Sequence, residues 1–471
     1  MQINVSEPVV KADLTFSAGG SAQVSQQSSL SWRAKLTLRR QMLAYRVSCF
    51  LMSHMLPFKL FFAVLRRLRP LALIGDTLWV TKADDIREVM SRFDDFMLGE
   101  SIEPGMPWGQ FMMTIDWREQ HALERGLLWS VVDKADVTRI HTLVADECRK
   151  QAQAELATGR IDVVARFAEP VVVRIAAEYF GVPPLGGSVQ RMADAMADLA
   201  GLVLIQPPVN SQPWASSRES IAIVTNQIVA TIADRTGAIK QGAVTNLPDD
   251  LLTRLARKLA SGNQPVWFNE DWIRRYISGL ISTGGATIVR ASAQAIDQLL
   301  AHPEGLEKAR AVAARLDKVP GDPVLTAQLR QLIYEALRMR PMLPMMVRTC
   351  PRDTVVAAGT SRARIVPGGS HVVLAALGAM FDPETVEAPW EFRAGRPDDV
   401  YLLFGYGLRE CFGRYIADAA LLEIIRFVVQ LPGLARADGG AGNVSYSGVA
   451  ARSLTVTFQP SSQISNVGSA A

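Results

Sequence analysis

Cysteine is scarce in this chain: Cys49, Cys148, Cys350 and Cys411 are the only four in 471 residues. No two have the spacing of a zinc site or a redox CxxC pair, and four are too few to staple a chain this long. That predicts free thiols in a reducing, cytoplasmic compartment and leaves the purpose of any one of them to be found. Charge of one sign is also missing. Fifty Lys+Arg against 46 Asp+Glu give a net charge of +4, too little to suggest a nucleic-acid-binding surface. With 49% hydrophobic and 20% charged residues, the chain is too apolar and too evenly charged for broad disorder.

Long uninterrupted apolar runs are lacking too. The first apolar concentration, residues 42–65, is broken by Arg46, His54, Pro57 and Lys59. It falls short of the roughly 20 residues a membrane span needs. It reads as a buried or interfacial helix, and Arg39, Arg40, Arg66, Arg67 and Arg69 beside it leave peripheral membrane contact open. No apolar stretch near the start resembles a secretory signal. Internal repeats are absent. The Ser/Gln/Gly-rich stretch 17–31 has little to bury, so residues 1–35 are expected to be a disordered extension and 461–471 a flexible tail. Between them, 36–460 is read as one domain.

What is there is mostly helical periodicity. Apolar spacings in 138–157, 164–180, 215–234 and 271–300 predict helices, separated by Pro/Gly-rich breaks at 182–187 and 206–213. Residues 71–91 read as a hairpin with Leu78, Trp79 and Val80 in its second strand. A helix capped by Asp84 or Asp85 follows. After residue 350 come short strands and turns, one more helix from about 413, and a closing hairpin in 443–458. The fold class is mainly α with small β-sheets.

One cysteine stands in a distinctive setting. Residues 404–413 read Phe404-Gly405-Tyr406-Gly407-Leu408-Arg409-Glu410-Cys411-Phe412-Gly413. The segment resembles the haem-binding loop of cytochrome P450 enzymes, F-x-x-G-x-R-x-C-x-G, at every fixed position. The resemblance implies haem b (iron protoporphyrin IX) with Cys411 as its axial thiolate, a ligand that favours O–O cleavage. A helix starting near Gly413 is expected to lower the thiol pKa. Gly405, Gly407 and Gly413 allow tight turning and close approach, and Arg409 offers a fixed charge to a propionate.

Further motifs lie at the family's distances. Glu335-Ala336-Leu337-Arg338 is similar to its E-x-x-R helix, and Pro389 to Arg396 to its P-x-x-F-x-x-x-R segment. Together they imply a Glu335–Arg338–Arg396 cluster that locks the scaffold. His121 and Arg125, at i and i+4 on one helix face, match the H-x-x-x-R pair that holds a propionate, and Arg348 stands where another such arginine is found. His54, His141, His302 and His371 lack such context and read as surface or strand residues. The resemblance covers about residues 70–458 and implies a cytochrome P450 fold of the soluble bacterial type.

One position departs from the pattern. The oxygen-activating helix reads Ile281-Ser282-Thr283-Gly284-Gly285-Ala286-Thr287, where the family has [A/G]-G-x-[D/E]-T. Thr283, Gly284 and Thr287 fit, but Ala286 stands in the acid's place and carries no proton. Three readings stay open: a monooxygenase routing protons through Thr287, Thr283, Ser282 and water; a peroxygenase or hydroperoxide-rearranging isomerase; or a non-enzymatic haem-binding protein. Arg290, one turn on, is a candidate for a substrate carboxylate or an ordinary helix-surface partner.

Substrate contacts implied by the resemblance are Phe111 and Met112 within the loop Met106-Pro107-Trp108 to Met113, Met345 and Met346, and Val449. Methionine lines adaptable apolar cavities but also fills cores. The expectation is a monomeric enzyme oxidising a fatty acid-, terpenoid- or lipid-like molecule. Its electrons would come from a separate ferredoxin/reductase-type donor. A lid of helices is expected within about 190–240.

Overall fold

The computed structural model describes residues 32–460 apart from 104, 105, 107 and 244. Helices form where apolar residues recur at three- and four-residue spacing. In chain order they are α1 (Trp32–Ser53), α2 (Met55–Leu68), α3 (Ala83–Ser91), α4 (Gly99–Ile102) and α5 (Arg118–Trp129). Then come α6 (Ala135–Glu155), α7 (Glu169–Glu178), α8 (Val189–Ile205), α9 (Gln212–Lys240) and α10 (Leu251–Ala260). The last five are α11 (Glu270–Ala301), α12 (Pro303–Lys318), α13 (Pro323–Met339), α14 (Ala376–Ala379) and α15 (Arg414–Val429). Several begin at side-chain caps: Asp250, Asn269 and Asp322 accept backbone N–H groups from the first turns of α10, α11 and α13.

Helix α11 is the axis of the molecule. Its middle is buried on almost every side, polar residues such as Ser282, Arg290 and Gln294 included, and α7, α8, α9, α13 and α15 pack on it. Gly285 makes one contact close: a Cβ there would lie 2.5 Å from Met196 Sδ on α8.

The strands are short. A four-stranded sheet runs β1 (Leu71–Ile74), β2 (Thr77–Val80), β7 (His371–Leu374), β4 (Met346–Thr349), with only the β2–β7 pair parallel. β3 (Arg160–Asp162), β11 (Thr455–Thr457) and β8 (Ala435–Arg436) form a second sheet. β5 (Thr354–Val356) pairs with β6 (Arg364–Val366), and β9 (Ser445–Ser447) with β10 (Ala450–Ser453). A second apolar cluster lies between the first sheet and α2, α3 and α14, and includes Phe62, Leu78, Ile86 and Leu374.

The mainly-α expectation holds, with differences of detail. Helix α1 starts at Trp32, inside the stretch expected to be unstructured; residues 1–31 and 461–471 lie outside the described residues. Neither Asp84 nor Asp85 caps α3: the cap position is Lys82, without a side-chain bond. Both acids sit instead in the first turn, where the helix dipole favours them, and Asp85 ion-pairs with Arg362 at 3.0 Å. Met346 belongs to a sheet strand, where Val347 pairs with Val373.

Candidate active site: a cysteine loop under helix α11

The loop before α15 turns on two glycines in the left-handed region, Gly405 at φ +76° and Gly407 at φ +71°, where a side chain would be strained. The Cys411 N–H donates to the Phe404 carbonyl at 2.9 Å, closing the loop. Gly413 differs from expectation: its φ is −80°, which any residue adopts. Its relation is one of proximity, since a Cβ there would stand 4.0 Å from Cys411 Sγ. Cys411 is accessible to solvent although protein surrounds it on most sides. Its thiol pKa is raised, against the sequence expectation. Burial outweighs the lowering effects of the Gly413 N–H and Arg125.

Around this loop the fold gathers basic side chains. His121 and Arg125 share one face of α5, and burial together with Arg409 and Arg125 pushes His121 down to about 4. Arg348, on β4, is 6% exposed; its hydrogen bond goes to the neighbouring Val347 carbonyl at 2.7 Å. Burial and Arg409 pull it down to about 10. Arg409 donates to the Met113 and Ile115 carbonyls, ion-pairs with Asp116, and lies 4.0 Å from the centre of the Phe93 ring. Its Nε, buried, has no partner. Asp116 in turn accepts from the N–H groups of Leu98 and Gly99 at 2.9 and 2.8 Å. Glu124, between His121 and Arg125 in sequence, accepts from Trp272 Nε1 and Tyr276 OH of α11 at 2.8 and 2.6 Å, fixing α5 against the long helix.

The expected cluster behind the loop is formed. Arg338 makes two parallel bonds to Glu335, both 2.8 Å, and Arg396 Nε adds a third at 3.2 Å. Arg338 also donates to the Met380 and Pro389 carbonyls, and the Arg393 N–H donates to Glu335. Glu335, Arg338 and Arg396 are all buried.

On α11, Thr287 Oγ1 donates to the carbonyls of Thr283 and Gly284 at 2.7 and 2.9 Å. Thr283 and Ser282 likewise bond back to Gly279 and Ser278. A Cβ on Gly284 would meet nothing within 4 Å, so that side of the helix is open. Ala286, two residues on and so on nearly the opposite side of the helix, is buried.

The pocket candidates divide. Phe111 and Met112 are buried, and Phe111 packs where a Cβ on Gly279 would clash at 2.6 Å. Val449 is buried beside β10, and Met345 and Met346 are half-buried against the second core. Met112 Sδ lies 3.9 Å from Arg125, which places it among the cations. Pro107 lies outside the described residues. The reading of Arg290 as a substrate group needs correction. It is 1% exposed and donates to the carbonyls of Val449 and Met52, so it ties α1 and the β9–β10 hairpin to α11. Asp116, Phe93 and Glu124 were not predicted; each acts through a partner distant in sequence, which no local pattern reveals.

Residues 189–430, just over half of the chain, match the family model for cytochrome P450. The chain belongs to the cytochrome P450 family. Among its relatives, erythromycin C-12 hydroxylase of Saccharopolyspora erythraea is 27% identical over 336 residues, 69% of this chain and 74% of that one. Cytochrome P450 93B2 of Gerbera hybrida is 27% identical over 219 residues, 42% of this chain and only 40% of its own length. The crystal structure of CalO2 superposes with a TM-score of 0.69 at 20% identity, covering 87% of this chain and 97% of that one. Members of the family are haem-thiolate monooxygenases. The residues of this P450 fit the cofactor: a deep but accessible thiol on a tight loop, with half-buried Arg125 and Arg409 and buried Arg348 and His121 opposed by Asp116. That imbalance, with Arg409 Nε unpartnered, suits a dianionic edge.

Proposed function

We propose that this P450 hydroxylates a lipophilic organic substrate, with haem b held by Cys411 and electrons supplied by a separate ferredoxin/reductase-type donor in the cytoplasm. The observation that carries the reading is the conjunction of the Cys411 loop with a basic cluster, Arg125, Arg348 and Arg409 beside a neutral His121, that Asp116 offsets only in part. In it, Cys411 ligates the iron, and the four groups pair with the propionates. Phe404, Gly405 and Gly413 shape the loop against the ring, and Glu335, Arg338 and Arg396 brace it from behind. Haem, once bound, supplies oxygen activation. Thr283, Gly284 and Thr287 form the α11 segment facing the reacting oxygen. Phe111, Met345, Met346 and Val449 make the contact surface apolar, which supports a fatty acid-, terpenoid- or lipid-like substrate. A panel of such compounds, titrated against Soret shifts, tests it. The expected result is tight binding of long apolar molecules; preference for small polar ones would refute it.

Ala286 favours a second reading, peroxygenase or hydroperoxide-isomerase chemistry, which does without an acid at that position. Turnover with a reductase system is compared with turnover on hydrogen peroxide or a lipid hydroperoxide; activity on peroxides alone selects the second.

Peripheral membrane contact is supported by α1 and α2. Residues 32–69 hold nine Lys/Arg and no Asp or Glu. Leu43, Phe50, Leu56, Leu60, Val64 and Leu68 are all exposed there. Among the described residues no single helix is long and apolar enough to cross a membrane, and the two helices bend by 87° at their junction. Exposed apolar groups among cations suit an anionic bilayer surface, at about 1 kcal/mol per cation. Sedimentation with anionic but not neutral vesicles, weakened by Leu56→Ser/Leu60→Ser, is the expected outcome.

A further inference from the structure

The carboxyl missing at position 286 of α11 is present beside it on another helix. Glu169 opens α7, entered through a π-helical turn at Val164–Ala168, a feature frequent at functional sites. It is 6% exposed. Together with Ala286, Val289, Met196, Ala450 and Ala451 it lines a small cavity of about 10 Å³, close to the space one water needs. Of the residues around that cavity, Glu169 alone has a polar side chain. Ala286 precedes Thr287 on α11, so the two lie about 100° apart around one helix.

On its other side Glu169 meets groups that reach solvent. Arg452 of β10 bonds to Asp194 of α8 at 2.6 Å, with side chains 30% and 49% exposed. Gln190 hydrogen-bonds to Glu169, Arg452 attracts it, and Asp194 and Asp162 repel its negative form. Asp162 is itself fixed by the N–H groups of Val164 and Ala165. Burial is the largest influence and pushes Glu169 up to about 7.

We propose that Glu169 is the proton-relay carboxyl of this P450, standing in from α7 for the acid missing at Ala286 and connecting the Asp194–Arg452 pair at the surface to the Thr287 segment of α11. In each passage the protonated carboxyl gives its proton to the cavity water, and that water hands one of its own toward Thr287. The carboxylate is then reprotonated from solvent on the Asp194 side; no electrons move. Because its pKa is raised, the donating form predominates below about pH 7 and is lost above it. The proposal rests on the monooxygenase reading.

The test uses full-length haem-loaded protein, wild type and Glu169→Gln. The first readout is an infrared titration of the resting protein. A protonated-carboxyl C=O band is expected to fade with a midpoint near pH 7 in wild type and to be missing in the variant. The second is the ratio of reductase-supported to peroxide-supported product formation on the same sample, so that loss of folded protein cancels. Glu169→Gln is expected to lower that ratio about tenfold or more, to divert electrons to hydrogen peroxide, and to flatten the pH profile. Glu169→Gln/Ala286→Glu is expected to recover most of the ratio. An unchanged ratio and pH profile in Glu169→Gln, with wild type active on the reductase system, overturns the relay and leaves the monooxygenase reading intact. A wild type active only with peroxide overturns both.

Discussion

Glu335 and Arg338 lie one turn apart on α13, joined by two parallel 2.8 Å bonds, and neither side chain reaches solvent. A buried pair of this kind adds little over an apolar isostere, but breaking it leaves one charge stranded. Glu335→Gln is therefore expected to cost about 3–5 kcal/mol, because it leaves Arg338 and Arg396 without their anion. Chemical denaturation checks this; a loss below about 1 kcal/mol would show that the carbonyls around Arg338 suffice by themselves.

The cation cluster predicts opposite effects on two states. Burial already pulls Arg348 down to about 10, so Arg348→Met relieves a buried, poorly compensated charge in haem-free protein. In haem-loaded protein, on the proposed assignment, it also removes a propionate partner. The expectation is unchanged or higher stability without haem and about tenfold faster transfer of haem to an acceptor protein. Slower or unchanged transfer would remove Arg348 from the haem site.

Arg290 is expected to matter for stability alone. Arg290→Leu leaves the Val449 and Met52 carbonyls without a donor, costing about 1–3 kcal/mol in thermal or chemical unfolding. The relative affinity for a fatty acid and its alcohol should stay the same; a selective loss of the acid would return Arg290 to the substrate pocket.

Glu169 gives stability a pH signature. Its pKa is raised from 4.5 to about 7 in the folded protein. Its contribution is thus fully present below about pH 4.5 and lost as pH rises through 7. Relative to wild type, Glu169→Gln should gain stability between pH 5 and 8, by about 3 kcal/mol at most. Parallel denaturation curves across pH test it, and a constant difference would place the titration elsewhere.

Much of this was legible in the sequence because it is local. The Cys411 loop, the Glu335–Arg338 turn and the His121–Arg125 pair each need only spacing on one element. Helix α11 was readable from the apolar spacing over 271–300. What escaped depends on contacts across the fold. Nothing near Asp116 reveals that Arg409 will find it 293 residues away in sequence, and nothing near Glu169 reveals Ala286. Arg290 stayed between two readings for the same reason, since its carbonyl partners come from α1 and the turn before β10. The raised Cys411 pKa shows burial overriding a favourable helix end, a balance that spacing cannot weigh.

The proposed role of Cys411 is to hold the haem iron through its thiolate. The most direct measurement is the reduced, CO-bound absorption spectrum of haem-loaded wild type beside Cys411→Ser. The account predicts the red-shifted Soret band of thiolate ligation in wild type and its loss in the variant, with haem still bound. A Cys411→Ser protein that keeps this band, or a folded, haem-loaded wild type that lacks it, would contradict the account.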